Sequence, residues 1–238
     1  MATYDLEEQE QLATLKAWWD RWGNLASWVV AGLAMLAVGW QAWNYYRGSQ
    51  AQMASQIYMV LEKAAADSIA ARERNDDAKA REFAKRVRDA QGELLAKYSG
   101  TTYAGLGALL AARVQLQAGD MENARAQLAW VVANGAPEEL RLVGRLHLAY
   151  LLIESKTYDD ARKYVDDVPE GPYAVRFLDL KGDLAALQNR PADARAAYRS
   201  ALDKLIAEQK SDDTLQQSRA TGFRDMLQIK LDALGEGA

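Results

Sequence analysis

Covalent chemistry or metal binding needs nucleophiles, bases or soft ligands at workable spacing, and this sequence carries few of them. Cysteine is absent and His147 is the only histidine. Without thiolates there are no disulfides, zinc–thiolate sites, iron–sulfur clusters or lipidated N-terminal cysteine. One imidazole falls short of the usual triads and of histidine-based metal sites. It lies in the apolar run VGRLHLAYLLI (143–153), which predicts that His147 packs against a neighbouring helix. Gly100 and Gly105 in GTTYAG have the glycine spacing of a phosphate loop. Leu106 and Gly107 then stand where a lysine and a hydroxyl would have to reach phosphate and Mg²⁺. No GxSxG nucleophile elbow occurs. The adjacent acids Asp159–Asp160, Asp166–Asp167 and Asp212–Asp213 fall near predicted turns and helix starts, where aspartate caps backbone amides. None follows a calcium-loop pattern. The expectation is a protein that is not an enzyme and uses no cofactor and no metal.

Composition narrows the remaining classes. The net charge of −4 argues against nucleic acid, whose phosphates call for a basic face. Half of the residues are hydrophobic, yet the mean hydropathy is slightly negative. That balance fits a folded body with one apolar segment. With only four prolines in 238 residues and an abundance of strong helix formers, the fold is expected to be all-α.

The apolar segment is explicit. From Trp22 to Tyr46 the chain runs 25 residues without a charge, between Arg21 and Arg47. As a helix that run spans roughly 37 Å, more than the ~30 Å of a bilayer's hydrocarbon layer. Trp18, Trp19 and Trp22 crowd one end, and Trp40, Trp43, Tyr45 and Tyr46 the other. Amphipathic rings favour the headgroup level, so the pattern predicts a single transmembrane helix over 22–46. Orientation is not set by charge. Lys16 and Arg21 on one flank balance Arg47 and Lys63 on the other.

Beyond the span, residues 48–70 read as a continuing helix with Ile57, Leu61 and Ala64 on one face. Between residues 71 and 93 seven basic and six acidic residues alternate, as on a solvated helix face. After residue 100 a repeat emerges. Ala124, Ala161 and Ala194 are 37 and 33 residues apart, close to the tetratricopeptide period. Each follows a turn: AGDMENA (118–124), SKTYDDA (155–161) and QNRPADA (188–194). Four positions on stand Leu128, Val165 and Tyr198. Gly182 and Ala201 complete the last unit, while the consensus tryptophan is replaced by Ala108, Arg145 and Leu178. One such unit cannot bury its apolar face alone, so a right-handed stack of helical hairpins is expected. Ser211 or Asp212 would cap a final helix ending at Gly235, with a stripe of Phe223, Met226, Leu227, Leu231 and Leu234 to cover the stack.

The order of these pieces resembles the ancillary SecYEG translocon subunit family of Gram-negative bacteria, inner-membrane proteins with a tetratricopeptide-like domain. The matching residues are LKAWWDRWGN (15–24), KYSGTTYAGLGALLAAR (97–113), VPEGPYAVRFLDLKGDLAALQNRPADARAAYRSAL (168–202) and MLQIKLDAL (226–234). The charged sequence around 66–93 departs from the pattern. The resemblance implies a short acidic cytosolic tail (1–21) and a transmembrane helix (22–46). Periplasmic membrane-proximal helices (47–100) and a tetratricopeptide-like domain with a C-terminal capping helix (101–238) would follow. It further implies association with the Sec translocon and with a membrane-anchored periplasmic chaperone or peptidyl-prolyl isomerase. A structural adaptor for another cell-envelope complex, such as cell-wall synthesis or division, is the competing reading.

Repeat arithmetic places a protein-binding groove. The first helix of each hairpin lines the inner face of such a stack. Counting back 15, 11 and 8 residues from the three alanines gives Leu109, Arg113 and Leu116, then Leu146, Tyr150 and Ile153, then Asp179, Asp183 and Ala186. The expected groove is apolar for two units and acidic at the third, suited to an amphipathic helix unless the chain's own C-terminal stripe fills it.

Overall fold

The computed structural model describes residues 4–208 and 214–235, and every regular element among them is α-helix. The proposed caps Ser211 and Asp212 lie outside the described residues. Two compact units divide the chain at residues 52 and 53. Helix α1 (Tyr4–Glu73) begins in the first and ends in the second. In the first unit it bends by 50° between Leu12–Leu25 and Ser27–Glu73. Among the described residues no single straight helix is long and apolar enough to cross a membrane, whereas the two segments flanking this bend are so together. The apolar side chains after it, including Trp28, Leu33, Leu36 and Trp40, carry no protein cover.

The second unit is a succession of hairpins. The end of α1 pairs with α2 (Asp77–Tyr98), α3 (Thr102–Gln117) with α4 (Met121–Asn134), α5 (Glu138–Glu154) with α6 (Tyr158–Val165), and α7 (Ala174–Leu187) with α8 (Pro191–Glu208). Helix α9 (Thr214–Ala233) follows on α8 as an unpaired final helix.

The four hairpin turns share one backbone device. A left-handed residue ends the first helix at Asn75, Gly119, Lys156 and Asn189, with φ between 57° and 77°. Its N–H donates to the carbonyl three residues back, and the next N–H donates to the carbonyl five back: Gly119 to Leu116 and Asp120 to Gln115, for example, at 3.0 and 2.9 Å. This Schellman closure satisfies the orphan carbonyls of the helix end. The following residue opens the second helix at once. Asp76 and Asp120 each accept an amide from three residues on, and Pro191 sits at the first helical position, where its missing N–H costs nothing.

Packing follows the period. Ala124, Ala161 and Ala194 are fully buried, and Leu128, Val165 and Tyr198, one turn on, lie in the core beside them. Successive clusters join neighbours only. One unites the end of α1 with α2 and α3, a second fills the space from α3 to α7, and a third joins α7, α8 and α9. Each hairpin thus buries its face against the next. The charged residues Arg81, Glu82, Lys85, Arg86, Arg88 and Asp89 lie on the outer face of α2, as expected of the alternating stretch. His147 departs from expectation: it is exposed on α5, because Leu146 and Leu148 on either side take the buried positions. Asp166 and Asp167 stand in the bend that follows α6, and Asp159 and Asp160 in its first turn.

Helix α6 has only eight residues, and a side chain compensates for its early end. Arg145 of α5, at the consensus tryptophan position, donates to the carbonyls of Tyr164 (3.0 Å) and Asp167 (2.5 Å). Its guanidinium lies 4.7 Å from the centre of the Phe177 ring. One residue thereby terminates α6, fixes the following loop and covers the core as the aromatic would.

The two helices of the last hairpin meet closely at Gly182, where an added Cβ would fall on the Tyr198 ring. Because Tyr198 is itself held by a hydrogen bond to Asp183 (2.6 Å), it has little room to yield. Gly182→Ala should destabilise the second unit by about 1–3 kcal/mol, the usual cost of overpacking. Thermal unfolding followed by circular dichroism should register this as a lower midpoint, by about 2–4 °C for each kcal/mol.

Candidate protein-binding surface

The first helices α3, α5 and α7 touch one another and form a row across the stack. Along this row the nine residues given by repeat arithmetic have three different fates, Ala186 lying half-buried against the cluster that joins α7, α8 and α9. Leu146 is buried, and Leu109, Leu116 and Ile153 pack half-buried against the same core. These aliphatic chains supply contact between consecutive hairpins, and Leu109, Leu116 and Ile153 keep part of their surface open along the expected groove. Arg113 and Tyr150 remain exposed, Tyr150 at 41 %. His147, one turn from Tyr150, shares this open strip, and desolvation holds its pKa below the ordinary imidazole value.

Asp179 and Asp183 meet a third fate, because α9 already occupies them. Lys230 Nζ donates to Asp179 Oδ1 and Asp183 Oδ1, each at 2.6 Å. The Tyr198 hydroxyl donates to the same Asp183 oxygen at 2.6 Å, and the ammonium lies 5.3 Å from the Tyr198 ring centre. Around this knot the terminal stripe packs as its spacing predicts. Leu227 is fully buried, with Phe223, Leu231 and Leu234 against Val175, Ala194, Tyr198 and Ala201. Arg176 stacks over the Phe223 ring at 4.9 Å, and Arg195 donates to the carbonyls of Leu234 and Gly235. The chain's own terminal helix thus takes the acidic end of the row.

The electrostatics follow from burial. Asp179 is almost wholly buried, and desolvation pushes its carboxyl up, opposed by the hydrogen bond from Lys230. Desolvation also raises Tyr198 and Tyr150, with the two aspartates adding to the rise in each. For Lys230 burial works against the charged form, but the bonds to Asp179 and Asp183 outweigh it and its pKa is raised. Two carboxylates one turn apart in a buried row demand a cation. The sequence shows the acid pair and a lysine set inside the stripe between Leu227 and Leu231. It does not show their pairing across 47 and 51 residues.

A charge-assisted hydrogen bond of this kind contributes about 1.5–3 kcal/mol, so Lys230→Met should lower stability by that order at neutral pH. The pH dependence has a definite sign. A lysine pKa raised by folding contributes stability that is complete below its ordinary 10.5 and is lost as pH rises through the folded value. Urea midpoints of the wild type and Lys230→Met should therefore differ at pH 8 and converge above pH 10.5. A gap that stays constant would mean that the ammonium charge is not what holds α9.

Comparison with known proteins gives a consistent result. The family described as tetratricopeptide repeat-like domain matches residues 16–236. An ancillary SecYEG translocon subunit of Neisseria gonorrhoeae is 26 % identical over 232 residues, covering 96 % of this chain and 98 % of that one. Its counterpart in Escherichia coli is 26 % identical over 232 residues, covering 95 % and 96 %. That of Aggregatibacter actinomycetemcomitans is 22 % identical over 204 residues, covering 86 % and 93 %.

Proposed function

The chain belongs to the tetratricopeptide repeat-like domain family, and from that premise we propose that it is a membrane-anchored protein-binding scaffold, an accessory subunit of the Sec translocon. The observation that carries this reading is the extent of the likeness. Relatives named ancillary SecYEG translocon subunits align with 95–96 % of the chain, so the anchor and the helical stack are matched together. A stack of hairpins joined through their cores offers an extended surface, which suits a subunit that holds other proteins in place.

The anchor is the apolar part of α1. Between the bend and Arg47 the helix is free of charge, and its large side chains are open on all sides. In water such a surface would aggregate; in lipid it is satisfied, and every backbone group is bonded within the helix. The N-terminus is cytosolic and the hairpin stack periplasmic, in the bacterial inner membrane, where the stack meets emerging polypeptides and a membrane-anchored chaperone or peptidyl-prolyl isomerase. Within the stack, partners engage the strip that α9 leaves open. Arg113 and Tyr150 are the residues of the expected groove that remain exposed there, and Asp179 and Asp183 contribute only through Lys230.

Affinity purification from gently solubilised membranes tests the scaffold reading. Recovery of SecYEG is expected; recovery of cell-wall synthesis or division proteins without it would favour the adaptor. Protease added to intact spheroplasts should digest the stack and spare the N-terminal tail. Tyr150→Ala should weaken partner capture severalfold while leaving the melting temperature within a few degrees. A parallel loss of stability and capture would move the binding surface elsewhere.

A further inference from the structure

The bend in α1 divides a run that by sequence reads as one span of 22–46. On its far side, residues 27–46 are uncharged and as a helix cover roughly 30 Å, the thickness of the hydrocarbon layer without remainder. Trp22–Leu25 are then surplus to the crossing, and they belong to a segment of different character.

From Leu12 to Leu25 the helix has two faces. At 100° per residue, Leu12, Leu15, Trp18, Trp19, Trp22 and Leu25 fall within an arc of roughly 140°. Lys16, Asp20, Arg21 and Asn24 occupy the opposite side. All six apolar side chains are about half exposed or more. A spanning helix has no use for a polar face, and a solvated tail has no use for three tryptophans on one stripe. A helix lying in the headgroup layer needs both. Tryptophan prefers that depth, and with the ordinary tilt of about 20° in the crossing the 50° bend brings the segment to within about 20° of the membrane plane.

The geometry points to residues 12–25 as an in-plane amphipathic helix, seated on the lipid surface with its Leu/Trp face in the headgroup–acyl boundary, and to 27–46 alone as the crossing. The inference rests on the anchor proposed above. Lys16 and Arg21 are offset in part by Asp20, so the seat depends on the apolar and aromatic face more than on anionic lipid. The occupant of this face is the bilayer, not a partner protein.

The chain's lack of cysteine makes the test direct. Single cysteines are introduced into the full-length chain (Leu15→Cys, Trp18→Cys and Leu25→Cys on one face, Lys16→Cys, Asp20→Cys and Asn24→Cys on the other, Ala34→Cys as the span control). Each is spin-labelled and reconstituted in vesicles of phosphatidylethanolamine and phosphatidylglycerol. Collision with oxygen is compared with collision with a water-soluble nickel chelate. Positions 15, 18 and 25 should be lipid-shielded at a shallow depth, positions 16, 20 and 24 water-accessible, and position 34 deep. Uniform water access over 15–25 would make the segment a free tail and overturn the inference while leaving the anchor intact. A steady increase of depth from 22 to 34 without alternation would restore a straight span and overturn it equally. Water access at position 34 would instead remove the anchor itself. Repeating the measurement in vesicles of phosphatidylcholine alone should preserve the alternation; its disappearance there would overturn the apolar seat in favour of headgroup charge.

Discussion

None of the hairpins in the second unit can bury its own apolar face, and most of the architecture answers that constraint. A hairpin of two short helices leaves a flank of alanines and leucines open, so each must be covered by the next. The cover works only at short interhelical distance, which explains fully buried alanines at Ala124, Ala161 and Ala194 and a glycine opposite Tyr198. It also works only if consecutive helices reverse direction within a few residues, which the shared left-handed turn provides. The constraint passes down the stack until it reaches α8, where a single helix follows in place of a hairpin among the described residues. Helix α9 ends the series with a stripe on its inner side and Ile229 open on its outer side.

Where the structure departs from the repeat ideal, charged side chains carry the difference. Arg145 takes the place of an aromatic and also terminates a short α6 through two carbonyls. Lys230 ties the terminal helix to the first helix of the last hairpin through two carboxylates. Both are cations with aliphatic stems that can lie along apolar surface while the head finds oxygen partners.

The period of the stack was legible in the sequence because it rests on local quantities: residue size at fixed spacing, turn chemistry and helix period. Buried Leu128, Val165 and Tyr198 stand where that spacing puts them. The groove was less legible, since repeat arithmetic gives the position of Leu109, Leu116, Leu146 and Ile153 on the row but not how deeply the neighbouring hairpin covers them. His147 shows the same limit in reverse: an apolar run on a helix still presents one residue in four to solvent. The bend in α1 left no mark in the charge count, because the run continues uncharged through it. The two faces of 12–25 were written there in tryptophans and leucines, in the same residues that a straight span reads as its belt.

The separation between Lys230 and its two aspartates has a consequence for synthesis. Each hairpin turn is closed by backbone bonds between residues three and five apart, so the reversal can form as soon as its own two helices exist. The acid pair on α7 has to wait for a lysine made 47 and 51 residues later. Until then the last of the four hairpins carries two carboxylates without this partner and an uncovered flank. A chain truncated before residue 230 therefore keeps its early hairpins but leaves an acidic, apolar end on display.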